Sequence, residues 1–490
     1  MIHRRQFVLG PEPWREHPDW SVVELPGLGV LSSCPTLPVQ VVSAADGVSW
    51  ALLGLALQSD PARPDPAAEI AATTSSEVSR LSATWAGRWV SAGDGKVYSD
   101  AGALLGCYYW RKPAEAGSGV WVSSSSALLG RAAAAHGAAP SHHQLAHGRG
   151  LDWFAPPQSR FSSVSRLLPS QLLNLGTGQP EPRAWLPDIA TGLSYDAALA
   201  ELERRLVTPL KKLPIRAGAT VWVPLTAGFD SRLVLAAAMR AGLPVRTYTN
   251  YRRRLSLADL ELPPHLARAA GVPHEWHRPG RVRPEAERAY DEHSGGETAG
   301  VDRGYFARGQ WDFAREGDIV LRGGCFEVGR CYYYRRLPAP TGPRPPDAVT
   351  IAQGLREAPG TPAAHALAEW IAAAEQTPVA GLDWRDRFYL EQRLAGWLSA
   401  LEQSLDITVA ERVHVANAAA TYAVLLGLPE NVRASGQHQR DLVARLAPPL
   451  AEFPFNPPEE AFGRLSRLGY RLRSDPRALV RSVLRRFGAG

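Results

Sequence analysis

Residues 221–236, VWVPLTAGFDSRLVLA, constrain the fold more than any other stretch of the chain. An apolar, β-branched run ends at Pro224 and Leu225, and a loop of mostly small residues runs from Thr226 to Ser231. Arg232 to Met239 then reads as a helix closed by Gly242. A strand, a tight loop and a helix in that order aim backbone N–H groups and a helix N-terminus at one point, which attracts phosphate. Gly228 lets the backbone approach an anion closely, and Thr226 and Ser231 carry hydroxyl donors. Asp230 would repel a phosphate unless a divalent cation sat between them, so it predicts Mg²⁺. The plainer alternative is an ordinary strand-to-helix turn with Asp230 or Ser231 as the N-cap.

At 490 residues the chain exceeds one typical core, which predicts two domains. Four cysteines, Cys34, Cys107, Cys325 and Cys331, are too few for a disulfide framework, so a reducing cytoplasm is expected. The opening pair Arg4 and Arg5 resembles a twin-arginine leader, but Pro11, Glu12 and Pro13 leave it no apolar core. No run of apolar residues is long enough to span a membrane. The net charge of +6 does not indicate a nucleic-acid face, because residues 461–490 alone hold eight arginines against one aspartate. In that tail Leu465, Leu468 and Leu472 share one helical stripe, and Leu479, Val480, Val483, Leu484 and Phe487 form another. Such a tail packs on its own protein, or offers a contact to a second copy, an acidic partner or a membrane surface.

Along the chain the first ~185 residues read as short strands between Gly, Pro and Ser turns, with one helix over 67–81. Residues 86–110 read as two or three strands and 167–185 as a closing hairpin. After a turn-rich junction the pattern alternates: helix, strand VWVPL, helix, strand PVRTYTNY, helix LADLELPPHLARAAG, and a short strand at His274–His277. This alternation predicts a parallel α/β sheet. Residues 363–428 read as mostly helical.

The loop T-A-G-F-D-S resembles the pyrophosphate loop S-G-G-x-D-S of the N-type ATP pyrophosphatases, with Thr226 keeping the hydroxyl and Ala227 replacing a glycine. It is not a Walker A loop, since G-K-[ST] is absent. The segment GRWVSAGDGKVYSDAGALLGCYY resembles a G-R-F…Y-x-D-x-x-G strand pair, and with it the whole chain resembles the asparagine synthetase family. That resemblance implies an α/β protein. An αββα sandwich of the N-terminal-nucleophile hydrolase type, here a degenerate glutamine amidotransferase-like domain over 1–187, comes first. An ATP-pyrophosphatase domain follows over 188–460 with a helical C-terminal part, and the basic tail over 461–490 ends the chain.

The resemblance also assigns residues. Leu225, Thr226, Ala227, Gly228, Phe229, Asp230 and Ser231 form the pyrophosphate cradle, and Tyr248, Thr249 and Asn250 stand where the family's backbone holds adenine. IVLRGGCFEVGR resembles V-L-x-G-x-G-A-D-E-x-F-G-G. Gly323 and Gly324 then line the nucleotide, Phe326 stands at or near the family's metal-binding Asp, and Glu327 joins Asp230 as Mg²⁺ ligand. Asp259 falls at an acidic position opening the next helix, whose plain alternative is a helix-dipole acid. ERVHVAN matches Arg412 and Asn417 to a family Arg and Asp, although an interdomain ion pair accounts for Arg412 equally well. The family's late lysine is missing, because no lysine follows Lys212; Arg433, His438 and Arg440 stand nearby, and His438 or Arg440 is expected to supply the charge. CYYYRR (331–336) reads as a buried strand edge or as a lining of the acceptor pocket.

A glutaminase of this class exposes Cys as its first residue, with the free α-amine as base. Here the start is Met1-Ile2-His3 and the first cysteine is Cys34, so the resemblance implies a scaffolding N-terminal domain. The reaction expected is attack of a carboxylate on the α-phosphate of ATP, giving an acyl-adenylate and PPi, then transfer to an amine with release of AMP. The partners would be a small-molecule or peptide carboxylate and an amine, with ATP and Mg²⁺ as cofactors. Two alternatives stay open: a non-catalytic nucleotide-binding or partner-binding protein, favoured by Ala227, Phe326 and the missing lysine, and an RNA-modifying enzyme with the same loop.

Overall fold

The computed structural model describes residues 2–112, 119–139, 141–145, 151–252, 255–298, 302–340, 344–358, 360–467 and 470. Most of the basic tail therefore lies outside the described residues; within it, Leu465 is 85% exposed.

The N-terminal half is a four-layer sandwich. One antiparallel sheet runs, in spatial order, Ser165–Arg166, Tyr108–Lys112, Gly119–Ser123, Phe7–Gly10, Gly29–Ser33, Ser21–Leu25. The second runs Gln179–Pro182, Gln171–Asn174, Lys96–Ser99, Trp85–Gly93, Ser49–Gln58, Val39–Ser43. Side chains alternate across each strand, and the clusters follow that alternation. Phe7 and Leu9 meet Leu53, Val90 and Ala92 between the sheets. Val8 and Trp121 turn outward to Leu128, Leu129 and Ala132 of the helix Ser126–Ala135. On the opposite face Trp50 and Leu52 cover Ile70 and Val78. Those two residues lie on separate helices, Pro66–Ala71 and Ser75–Leu81, where one helix was expected over 67–81. The break falls at the β-branched pair Thr73 and Thr74; the Thr73 carbonyl accepts from Ala45 N at 2.8 Å, tying the chain to the sheet edge instead of to the next turn.

The second half carries a five-stranded parallel sheet in the spatial order His274–His277, Val245–Asn250, Val221–Pro224, Ile319–Leu321, Glu411–Val413. Numbered along the chain this order is 3-2-1-4-5, the doubly wound arrangement. Winding reverses between the first and fourth strands, and ligands bind at the carboxyl ends there. The fold class expected from sequence is therefore present: an antiparallel αββα sandwich, a parallel α/β sheet and a helical C-terminal part. The edge strand Glu411–Val413 was not foreseen, being three residues set among helices. CYYYRR is not a strand edge; it is a run of turns after the 3₁₀ turn Phe326–Arg330, with Cys331 in the left-handed region (φ 52°).

Buried polar contacts join the halves. Arg88 pairs bidentately with Asp406 (2.8 and 2.7 Å), both side chains 2% exposed. Arg5, at the head of the first strand, reaches Glu411 at 2.6 Å and the carbonyls of Thr408 and Val409. Breaking a buried pair leaves one charge uncompensated, so Asp406→Asn is expected to cost about 3–5 kcal/mol in urea unfolding, while an Arg88→Met/Asp406→Leu double variant recovers much of that loss. A loss under about 1 kcal/mol would assign the pair no such role.

Candidate active site

The loop 225–231 lies at the carboxyl end of the first strand, at the reversal point. Its root is fixed by the neighbouring strand: Leu225 N donates to Tyr248 O (2.8 Å), and Thr249 Oγ1 donates to Leu225 O (2.7 Å). Thr226 and Ser231 hydroxyls lie 2.8 Å apart and close the loop on itself. The helix Phe229–Arg240 begins one turn earlier than the sequence suggested. Gly228 is its N-cap and no side chain caps it, so neither Asp230 nor Ser231 serves that role. The first-turn N–H groups are left without a side-chain acceptor, which favours an anion there.

Ala227 is fully buried, its N–H donating to Asp259 Oδ1 (2.8 Å) and its carbonyl accepting from Arg232 Nη2 (3.0 Å) and Asn456 N (3.1 Å). The extra methyl is thus accommodated inside. Ser256 caps Leu257–Ala269, its Oγ accepting from Asp259 N (3.0 Å) and donating to Asp259 Oδ2 (2.8 Å), and the same carboxylate reaches the loop.

The loop after the fourth strand meets the first. A Cβ on Gly323 would lie 3.1 Å from Asp230 C, Cβ and O, so any larger residue would push the two loops apart by a few tenths of an ångström. Glu327 then extends from the Phe326–Arg330 turn and accepts from Tyr389 OH at 2.9 Å. Phe326 is buried in the core and offers the site no ligand atom. Gln439 bridges the cluster: Nε2 donates to Asp230 Oδ1 (2.7 Å) and Oε1 accepts from Arg330 Nη1 (2.9 Å). Burial, and next the charge of Glu327, push Asp230 up from 3.8 to about 6, against the opposing pulls of Gln439 and Arg330. A buried carboxylate whose charge the nearby Glu327 destabilises, beside a helix N-terminus, forms with Glu327 a hard-oxygen donor set that fits Mg²⁺.

That raised value has a consequence for stability. Between about pH 4 and 6 the folded, metal-free protein holds a proton that the unfolded chain has lost, so Asp230 makes stability fall as pH rises through that window. Asp230→Asn removes the slope. Relative to the parent, the variant is expected to gain stability between about pH 4 and pH 8 in chelator-treated buffer. Urea melts at both pH values check this, and an unchanged difference would refute it.

Other expected residues fall elsewhere. Arg412 does not reach the loop; its Nη1 donates to Leu405 O (2.6 Å) and Thr408 Oγ1 (2.8 Å), and burial lowers it to about 10. It belongs to a buried network in which Glu402 pairs with Arg322 (2.8 Å) and His414 (3.3 Å). Asn417 is also structural: Nδ2 donates to Asp100 Oδ1 (2.7 Å) and Gly87 O (2.6 Å). An Asp at 417 would face the Asp100 carboxylate, which accounts for the amide. His438 is buried and neutral, held down at about 4 chiefly by burial, and it supplies no charge. Arg433 is taken by Asp386 (2.7 Å).

Of the late cations expected, Arg440 alone stays near, its guanidinium carbon 5.1 Å from the centroid of Phe229. Arg330 lies closer, 4.5 Å over the same ring. Tyr248 buries its side chain against His277 and Phe313, so it offers the site backbone only. Asn250 Oδ1, at the end of the same strand, is buried without a partner. Gly324 packs under Leu398. Arg330, Gln439, Tyr389 and Asn456 were missed in sequence. Arg330 was legible, three residues past Glu327 on one helical turn; the others come from distant segments without a motif.

No protein-family model and no curated protein matches the chain. Among solved structures, the chain is similar to an NMN synthetase from Francisella tularensis at 15% identity and a TM-score of 0.21, over 36% of this chain and 72% of that one. It is also similar to a glutamine-dependent NAD+ synthetase from Acinetobacter baumannii, in complex with adenosine diphosphate, at 15% identity and a TM-score of 0.18. That overlap covers 42% of this chain and spans 40% of the synthetase's length.

Proposed function

We propose that this protein is an ATP-dependent ligase of the asparagine synthetase type, which adenylates a carboxylate with release of PPi and passes the acyl group to an amine. The observation that carries this reading is the convergence of Asp230 and Glu327 on the phosphate-type loop at the sheet's reversal point. Bound between them, Mg²⁺ would neutralise the triphosphate. The chain's own tasks are the others. The first-turn N–H groups of the helix Phe229–Arg240 and the Thr226 and Ser231 hydroxyls hold PPi, Gln439 orients Asp230, and Arg330 balances charge as the α-phosphate is attacked. The acid and amine would meet in the crevice beside Tyr389. Carboxylate-dependent ATP–pyrophosphate exchange over a small acid library tests the reading; AMP and PPi are the products expected, and ADP as the main acid-dependent product would overturn it.

The sandwich is proposed as scaffold, not as ammonia source. A glutaminase of this class needs an accessible, activated thiol, and the start of the first strand is instead buried in the join between halves, with Arg5 on Glu411 and the Thr408 carbonyl. Cys34 and Cys107 are buried, and burial pushes Cys107 up to about 12, far from a reactive thiolate. Glutamine is therefore not expected to be hydrolysed, with or without ATP and acid, and an added amine should drive turnover. Glutamate release at turnover, lost in Cys34→Ala or Cys107→Ala, would contradict this. Among the described residues no helix is long and apolar enough to cross a membrane, and a cytoplasmic site of action is proposed on the reduced cysteines.

A further inference from the structure

The loop 225–231 satisfies several of its own donors internally. Thr226 N donates to Ser231 Oγ (3.0 Å), Ala227 N to Asp259 Oδ1 (2.8 Å) and Gly228 N to Thr226 Oγ1 (3.2 Å). An anion over the helix Phe229–Arg240 is left with the first-turn N–H groups and the hydroxyls, and no lysine follows Lys212 to add to them.

A second segment, residues 450–456, lies against this loop. Asn456 N donates to Ala227 O (3.1 Å), and the Phe455 ring stacks on Phe229 at 4.9 Å and 16°. Arg232, next after Ser231 in the chain, fastens the two together. Its Nη1 donates to Phe453 O (2.7 Å) and Leu450 O (3.3 Å), and its Nη2 to Pro454 O (3.0 Å) and Ala227 O (3.0 Å). Its guanidinium carbon lies 3.8 Å from the centroid of Phe455.

Two features of this contact point to an anion. Arg232 is fully buried, its Nε has no partner, and among the described residues no carboxylate pairs with it; burial alone lowers it, to about 10. Carbonyls and an aromatic face hold a guanidinium without neutralising it, and a buried charge is costly while it stays unpaired. An anion on the loop supplies the missing counter-charge. The Asn456 side chain, in turn, stands at the loop's one glycine. A Cβ on Gly228 would lie 3.4 Å from Asn456 Oδ1 and 3.9 Å from Nδ2. Asn456 is exposed, and a half-turn of its amide brings the NH₂ group to the place its oxygen holds.

We propose that residues 450–456 form a strap that completes the pyrophosphate seat, with the Asn456 amide donating to the bound anion and Arg232 holding the strap on the loop. This rests on the adenylating reading above for why pyrophosphate forms there, but the seat itself needs neither ATP nor acid. Equilibrium dialysis with labelled inorganic pyrophosphate and Mg²⁺ tests it. The parent is expected to bind saturably and Asn456→Gly about tenfold or more weakly. Asn456→Asp, which sets a carboxylate against the anion, is expected to bind more weakly still. Asn456 lies in the left-handed region (φ 46°), which glycine adopts freely, so Asn456→Gly removes the amide and keeps the turn.

Parent affinity in Asn456→Gly would mean that the asparagine serves the turn alone, and would overturn the proposal. So would an Asn456→Asp variant that binds as tightly as the parent, or no saturable binding to the parent. Pyrophosphate exchange separates the two readings. Binding that depends on Asn456, with no exchange for any acid, leaves the strap standing and sinks the ligase. Exchange whose KM for pyrophosphate is unchanged in Asn456→Gly sinks the strap and leaves the ligase.

Discussion

Asp230→Asn is expected to lower carboxylate-dependent pyrophosphate exchange by at least about a hundredfold while leaving the fold intact, the loss typical when a group that stabilises developing phosphate charge is removed. The substitution is nearly isosteric. Asp230 accepts from Gln439 Nε2 through one oxygen, and an asparagine carbonyl can still accept that bond. What disappears is the charge. In the metal-free protein that charge is a burden, since burial and Glu327 push the carboxyl up to about 6. A carboxylate held where it is costly becomes useful only when a cation and a triphosphate share the space. The variant should therefore be more stable than the parent without metal near neutral pH, and inactive with it. Unchanged exchange would remove Asp230 from the site. Loss of exchange with a collapsed circular-dichroism spectrum would show that the acid serves the fold instead.

Much of this site could be read from the chain because its core is local. A strand, a six-residue loop and a helix are set by adjacent residues, so VWVPLTAGFDSRLVLA located the phosphate-type loop, and only the helix start shifted, to Phe229. Glu327 was legible for the same reason, sitting behind two glycines, of which Gly323 passes close to Asp230 and Gly324 packs against Leu398. The misassigned residues are those whose meaning depends on distant partners. ERVHVAN contains the fifth strand, and its side chains face Glu402, on the preceding helix, and Asp100, in the other half of the chain. His438 and Arg440 are two apart on one helix, yet one is buried and neutral while the other stays beside Phe229. A cation count along the sequence cannot separate them, because solvation is set by what packs above each residue. Arg4 and Arg5 are both buried, and Arg5 joins the two halves through Glu411, a partner 406 residues on that no local pattern announces.

Arg330→Gln is the second large loss expected, about a hundredfold or more in exchange at saturating ATP, on the scale of removing one fixed donor from a developing anion. On the adenylating reading a cation must balance the charge that develops on the α-phosphate, and geometry favours Arg330 over Arg440. Both lie over the Phe229 ring, but Arg330 is the nearer, 4.5 Å against 5.1 Å. Arg330 also holds Gln439, which holds Asp230, and its charge is among those that lower Asp230. Removing it should let the Asp230 carboxyl rise further, so the acid limb of the exchange profile moves to higher pH. A residue with a purely structural role would lower activity evenly across pH and would not move that limb. Arg330→Lys restores positive charge without the planar fork, so it should return the acid limb toward the parent while recovering only part of the rate. Arg440→Gln, whose guanidinium otherwise binds Gln437 at 3.3 Å on an exposed face, should cost less than about tenfold. If Arg440→Gln proves the more damaging of the two, the charge clamp sits on the helix Gln437–Leu446 and Arg330 serves only to position Gln439.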